Sequence, residues 1–388
     1  MSGGTPPHAP FVYDSASVGF ADRAYEIYRT LRDDHPVYQS AERGGFWALS
    51  RFEDVRAAAL DAETFSSENT SIGKGLLPMI QQLDPPRHDE LRSLLSKAFT
   101  PRRVDELEPR VREITTELID AFIDDGHCDL LSCFATQLPS RVIAELIGIP
   151  AERRAAFLEW TEMMISIQAF GRSHDFDPFT AIYEEFGNLL ARRRATRAED
   201  LMTALLEAEI DGEKLSNEEL LGFCFLLVVG GNDTTTNLLA NGAVLLAQHP
   251  DQRSRLAEQP ALIPDAVEEM LRYESPTQVL PRIATRDVKL HDETIPEGAE
   301  VLLVWGAANR DEREFEEPER FDIDRRAARH LALGHGAHFC MGASLARLEG
   351  RVAFEELLRR VPDYQLAGEP GWQRSVWARA HDAVPVRF

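Results

Sequence analysis

The segment from Leu215 to Gln248 constrains the fold more than any other stretch of this sequence. Ser216 followed three residues later by Glu219 forms a capping box, in which each side chain satisfies a free N–H of the first helical turn. The apolar pattern then continues to Gln248, and Pro250 disfavours helix at His249, so the spacing predicts one helix of roughly 30 residues, ~45 Å long. A helix of that length crosses a whole domain. Its middle, Gly230-Gly231-Asn232-Asp233-Thr234-Thr235-Thr236, is poor helix material, since two glycines cost about 1 kcal/mol each and the threonines are β-branched. Two readings stay open: a tolerated kink, or a widening beside a bound ligand with Asp233 and Thr234 as a buried acid and alcohol.

The remainder reads mostly as helix. Phe52 to Leu60, Glu106 to Phe122 and Glu184 to Arg194 place apolar residues at three- and four-residue intervals. Short strand-like segments occur at Tyr38 with Phe46 to Leu49, Asp287 to Leu290, Val301 to Trp305 and Val384 to Phe388. No repeat or linker divides the chain, so a mainly α, single-domain protein over 1–388 is expected, with small edge β-sheets and a flexible N-terminus over 1–10. Forty-two Lys and Arg against 65 Asp and Glu give a net charge of −23, which excludes a protein built to grip nucleic acid or an anionic membrane. The longest apolar stretch, Leu220 to Gly231, is about twelve residues against the ~20 of a membrane helix, and no secretory signal precedes it. A cytoplasmic protein is expected. Of the four cysteines, Cys128, Cys133 and Cys224 read as small buried hydrophobes, and Cys340 stands apart.

Cys340 lies in Leu331 to Gly350, where Gly334, Gly336 and Gly342 allow a tight loop and Leu345, Leu348, Val352 and Leu358 begin a helical pattern. A cysteine just before a helix N-terminus is favoured as thiolate by the free N–H groups and the dipole. At these residues the sequence resembles the cytochrome P-450 family. Gly334, Gly336, His338, Cys340 and Gly342 fit the haem loop of its bacterial members, while Leu333 stands where an aromatic is usual and Ser344 where many have proline. The resemblance implies the P-450 fold, with the long helix over the haem, and makes Cys340 the thiolate ligand of the iron of haem b. Leu333 would alter the shielding of the sulfur, hence the reduction potential.

Other segments carry the resemblance further. Glu269-Met270-Leu271-Arg272 matches the family's E-x-x-R, and Pro318-Glu319-Arg320-Phe321 resembles the segment whose arginine joins that pair in a buried structural network. His88 and Arg92, four residues apart on one helix face, with Arg282 and His338, match positions that hold the haem propionates; Gly334 and Gly342 shape the cofactor loop. Gly230-Gly231-Asn232-Asp233-Thr234 matches the family's G-G-x-D-T, where the helix widens beside O2 and Asp233 and Thr234 serve proton delivery.

By family position the substrate pocket draws on Leu76, Leu77, Met79 and Ile80, on Met163 and Ile167, and on Leu226, Val229 and Gly230. Val279, Leu280 and Trp377 complete it, and the apolar lining suits a small hydrophobic substrate. Peroxide-using relatives lack the acid–alcohol pair, so the resemblance implies electrons from NADH or NADPH through a separate reductase and ferredoxin. A ferredoxin is itself acidic, so a basic docking patch is expected from Arg102, Arg103, Arg325, Arg326, Arg329, Arg347 and Arg351 on a monomer. The expected reaction is hydroxylation, epoxidation or O-demethylation. The competing reading is a haem-thiolate ligand-binding or gas-sensing protein without turnover, which has no use for Asp233 and Thr234.

Overall fold

The long helix forms as the capping box requires. In the computed structural model, which describes residues 11–71, 79–96, 101–170, 177–198, 200–210 and 213–388, Ser216 Oγ accepts from the Glu219 N–H at 3.2 Å and Glu219 Oε2 accepts from the Ser216 N–H at 2.8 Å. The helix runs 32 residues, Asn217–Gln248, and ends at His249 before Pro250. It is α-helical throughout. Thr234 Oγ1 donates to the Gly230 carbonyl at 2.6 Å, the i−4 back-bond that tends to bend a helix locally. Gly231 is needed for close packing, because a Cβ there would lie 2.8 Å from Ile143 Cδ1.

The other helices surround it. In chain order they are α1 (Phe20–Asp34), α2 (Phe52–Leu60), α3 (Arg87–Ser96), α4 (Pro101–Asp105), α5 (Glu108–Asp120), α6 (Gln137–Ile147) and α7 (Ala151–Phe170). After α8 (Pro178–Ala195) and α9 (Leu201–Glu207) comes the central helix, α10, then α11 (Pro250–Glu258), α12 (Ile263–Tyr273), α13 (Trp305–Ala308) and α14 (Ala343–Arg360). The main core gathers α5, α6, α8, α12 and α14 around α10. Its driving force is apolar burial, at about 25 cal/mol per Å².

A five-stranded sheet lies at the edge, in the order Val37–Ser40, Phe46–Leu49, Glu300–Leu303, Leu280–Ala284, Phe65–Ser66. Only the pairing of Phe46–Leu49 with Glu300–Leu303 is parallel. The strand expected to reach Trp305 stops at Leu303, since Trp305, 2% exposed, opens α13 and is buried with Phe52 and Phe315. The tail strand forms over Pro385–Arg387 and pairs with His127–Asp129. Cys224 is buried as expected, Cys128 is half-buried, and Cys133 is exposed, because it lies on the outer side of the turn before α6.

The E-x-x-R pair forms the buried clamp between α12 and the segment leading to the cysteine loop. Glu269 and Arg272 are fully buried and joined by two parallel hydrogen bonds of 2.7 and 2.8 Å. Arg320 does not complete the network. Its side chain is 62% exposed, pairing with Glu317 and Asp322, and only its carbonyl faces Arg272. Arg325 takes that place, with Nε 3.1 Å from Glu269 Oε1 and its other nitrogens on the Glu316, Glu317 and Arg320 carbonyls. Removing one partner of a buried pair strands the other charge, so Arg272→Ala should cost about 3–5 kcal/mol in urea unfolding. Arg325→Ala should cost about 1–3 kcal/mol, and Arg320→Ala at most about 0.5 kcal/mol. Equal losses for Arg320 and Arg325 would contradict this assignment.

Candidate haem and oxygen site

The cysteine loop is built by backbone geometry. Gly334 and Gly336 both take φ of 71°, and a Cβ on Gly336 would meet the Ala59 carbonyl at 2.4 Å, so the loop lies directly on the end of α2. The Cys340 N–H donates to the Leu333 carbonyl at 2.8 Å, and α14 starts three residues later. Leu333 thus contributes its backbone to holding Cys340, and its side chain packs on the main core.

Cys340 forms part of the wall of a cavity with about 1220 Å³ of empty space, part of it open to solvent. From α10 come Leu226, Leu227, Gly230, Gly231, Thr234 and Thr235. The polar edge is His88, Arg92, Arg282 and His338, the four residues expected there. His88 and Arg92 come from α3, and the His88 ring packs 4.2 Å from that of His338. Arg282 comes from the edge sheet, two residues after Leu280 and on the same strand face.

The electrostatics of this edge call for an anion. Arg282 is 7% exposed, and among the described residues its guanidinium bonds only the Pro281 carbonyl; burial pulls its pKa down to about 10, with Asp84 opposing. Arg92 donates to the Phe339 carbonyl at 2.6 Å, and burial lowers its pKa too. Burial first, then the charges of Arg282, His88 and Arg92, depress His338 to about 3. The nearby Asp84 carboxylate is spent on Ser66 Oγ at 2.5 Å and the Ser67 N–H at 2.8 Å. Arg282 and the half-buried Arg92, neither ion-paired with a carboxylate among the described residues, stand beside a neutral His338 and a His88 held by Asp89 at 2.8 Å; facing a mostly apolar cavity with a cysteine in its wall, they fit a haem with two propionates.

The cysteine itself is not poised as the sequence suggests. Burial raises the Cys340 pKa, outweighing the Gly342 N–H, Arg92 and Arg347, so the free protein favours the thiol. A metal cation is what would displace the proton. Asp233 does not line the cavity. It sits behind Thr234, bonded to Asn237 Nδ2 at 3.5 Å, and burial pushes it up to about 6.

Of the expected substrate residues, Ile80, Leu226, Gly230 and Leu280 line the cavity. Met79 and Val229 turn into the main core instead, and Val279 and Trp377 pack behind the sheet with α1. Met163, on α7, is also absent from the wall. Leu76 and Leu77 lie outside the described residues, as do the side chains of Ile167 and Arg103. The structure adds Ser67, Thr70, Gln81, Ile143 and Glu349. Ser67 Oγ is 3.0 Å from His338 Nε2, a contact across 271 residues that no local pattern signals.

The expected docking cations are mostly engaged. Arg347 binds Glu268 at 2.7 Å, Arg351 binds Glu108 at 2.5 Å, Arg329 binds Glu314 at 3.1 Å and Arg102 binds Glu106 at 3.3 Å. Arg325 belongs to the Glu269 clamp. Arg326 is exposed, with no ion-pair partner among the described residues. No helix among the described residues is long and apolar enough to cross a membrane.

Known proteins agree with this geometry. The sequence model of the family Cytochrome P450 matches residues 176–361. Cytochrome P450 107B1 of Saccharopolyspora erythraea is 40% identical, over 95% of this chain and 96% of its own. Vitamin D(3) 25-hydroxylase of Pseudonocardia autotrophica is 38% identical, over 96% of each chain. The solved structure of cytochrome P450 CYP109Q5 from Chondromyces apiculatus superposes with a TM-score of 0.90 at 38% identity, over 97% of both chains. With this similarity over nearly its full length, the chain belongs to the cytochrome P450 family of haem-thiolate monooxygenases.

Proposed function

We propose that this monooxygenase, a single domain over 1–388, acts on a small hydrophobic molecule, with Cys340 as the iron ligand and Asp233 and Thr234 as its proton-delivery pair. The observation that carries this is the sharing of one cavity by Cys340 and Thr234, with the half-buried acid Asp233 next to Thr234 on α10 and outside the cavity wall. Haem bound by Cys340 supplies the binding of O2 and, with two electrons, the splitting of its O–O bond. His88, Arg92, Arg282 and His338 would hold the propionates at the polar edge of the cavity that Gly230 and Gly231 also line. The Thr234 hydroxyl, donating to Gly230, turns its lone pairs toward the cavity, where they orient an incoming water. Asp233 passes protons to that water from outside the cavity.

The walls Ile80, Leu226, Leu227 and Leu280 exclude bulk water and receive the apolar substrate. A relative named as a hydroxylase of vitamin D(3), a hydrophobic molecule, supports this class. Electrons come from NADH or NADPH through a reductase and a ferredoxin, which docks on the exposed Arg326, Arg102 and Arg329 of a cytoplasmic monomer.

Reduced protein under carbon monoxide should show the far-red-shifted Soret band of thiolate ligation, and Cys340→His should abolish it. An unshifted wild-type band would remove Cys340 from the site. Oxygen-18 labelling over a hydrophobic library tests turnover: tight binding and competent reduction without labelled product would leave the ligand-binding reading.

Thr234→Ala should keep haem and substrate binding but divert electrons to peroxide, lowering product per NADH about tenfold. Above about pH 6 the Asp233 carboxylate is mostly ionised and must first take up a proton. Coupling should therefore fall as pH rises through that value, and Asp233→Asn should lose that inflection; a profile shared by both proteins would count against the role. Reversing Arg326 and Arg329 to Glu should slow ferredoxin-driven reduction about tenfold at low salt with substrate affinity unchanged. Equal rates would place docking elsewhere.

A further inference from the structure

One buried acid in the cavity wall has no part in the chemistry above. Glu349 lies on α14, seven residues beyond Gly342, on the face that turns Gly342, Leu345 and Ala346 into the cavity. It is 1% exposed, and its Oε2 is wholly buried without a hydrogen-bond partner among the described residues. The adjacent Gly350 packs on Val267 of α12 and Leu238 of α10, so apolar side chains close this turn of the helix.

The charges of the neighbouring elements are spent elsewhere. On α12, Glu268 is held by Arg347 and His330, and Glu269 by Arg272. On α5, Glu108 and Arg112 are tied to Arg351, Glu355 and Glu356. On α10, Asp233 bonds Asn237; on α11, Arg253 lies over Tyr364; on α4, Arg102 pairs with Glu106. None of these forms an ion pair or hydrogen bond with Glu349. A carboxylate so placed is unstable relative to the acid, and burial alone pushes Glu349 up to about 8.

We infer that Glu349 is a redox-linked proton store of the cavity: when the iron accepts one electron from the ferredoxin, the ionised Glu349 takes one proton from water. This rests on the preceding reading that haem fills the cavity. The sign follows from charge. Reduction adds a negative charge to the low-dielectric space that Glu349 borders, so the protonated form is favoured more strongly in the reduced protein than in the oxidised one. Between the two pKa values each electron carries a proton with it, and the reduction potential falls as pH rises. Below both and above both it is flat.

Potentiometric titration of wild type and Glu349→Gln from about pH 6 to about pH 10 tests this. The wild-type potential should fall over a limited window around and above pH 8, bounded by flat limbs, and Glu349→Gln should be flat across that window. A flat wild-type potential, or a slope that survives Glu349→Gln, overturns the inference. Should Glu349→Gln fail to take up haem, reduced-minus-oxidised infrared spectra of wild type, with and without carbon-13 glutamate, decide it. A carboxylic-acid C=O band that gains intensity on reduction and shifts with the label supports the store; its absence overturns it. Protein lacking the shifted carbon monoxide band fails at the earlier reading, whereas a normal band with a flat potential sinks this one alone.

Discussion

A helix of 32 residues buried along most of its length has little solvent face on which to place polar groups. Most polar residues on α10 therefore answer to a partner or to the cavity; Asn232 does neither, being fully buried with both side-chain amide atoms unpartnered among the described residues. At its start, Ser216 and Glu219 satisfy one another's backbone. Further along, Thr236 donates to the Ala135 carbonyl at 3.2 Å and Asn241 to the Arg379 carbonyl at 3.0 Å, which ties the helix to its neighbours. Between these anchored ends lies the stretch with the poorest helix propensity. Gly230 and Gly231 there give up side chains where the cavity and Ile143 come close. The local cost in propensity is offset by burial on both sides, and it leaves backbone and the Thr234 hydroxyl at the cavity wall, with Asp233 beside it.

The same accounting separates structural charges from functional ones. Arg272, Arg310 and Arg379 are all buried, and each keeps a carboxylate: Glu269, Glu319 and Glu274, at 2.7, 2.5 and 2.7 Å. Such pairs hold elements together and leave nothing for a ligand. Among the described residues Arg282, buried to a similar degree, hydrogen-bonds only a backbone carbonyl, and Glu349 Oε2 has no hydrogen-bond partner. Groups left uncompensated at real cost are where the protein is prepared for something it must bind or do.

Much of this was legible in the sequence because it is local. The capping box, the helix end before Pro250, the glycine loop around Cys340 and the pairing of Glu269 with Arg272 each depend on residues a few positions apart. What failed depends on where distant segments meet. Arg320 and Arg325 are equally plausible partners for Glu269 by spacing; the turn between them sends one outward and the other inward. Val279 and Leu280 are neighbours, but strand alternation puts one behind the sheet and the other in the cavity. The helix dipole at Cys340 favours the thiolate, but burial depth, which no local pattern reports, outweighs it in the free protein. Glu349 had a readable signal, its seven-residue offset from Gly342 on one helix face, but an acid at that spacing ordinarily faces water.

A surface of net charge −23 repels an acidic partner at long range, and most of the expected docking arginines are neutralised by carboxylates within 3.3 Å. An ion pair still presents a local dipole, but at distances beyond the Debye length of about 8 Å it adds almost nothing to steering. On the proposed reading, ferredoxin docking would rest on the exposed arginines, Arg326 foremost, and would be weak and quickly reversible, as a carrier returning for each of two electrons requires.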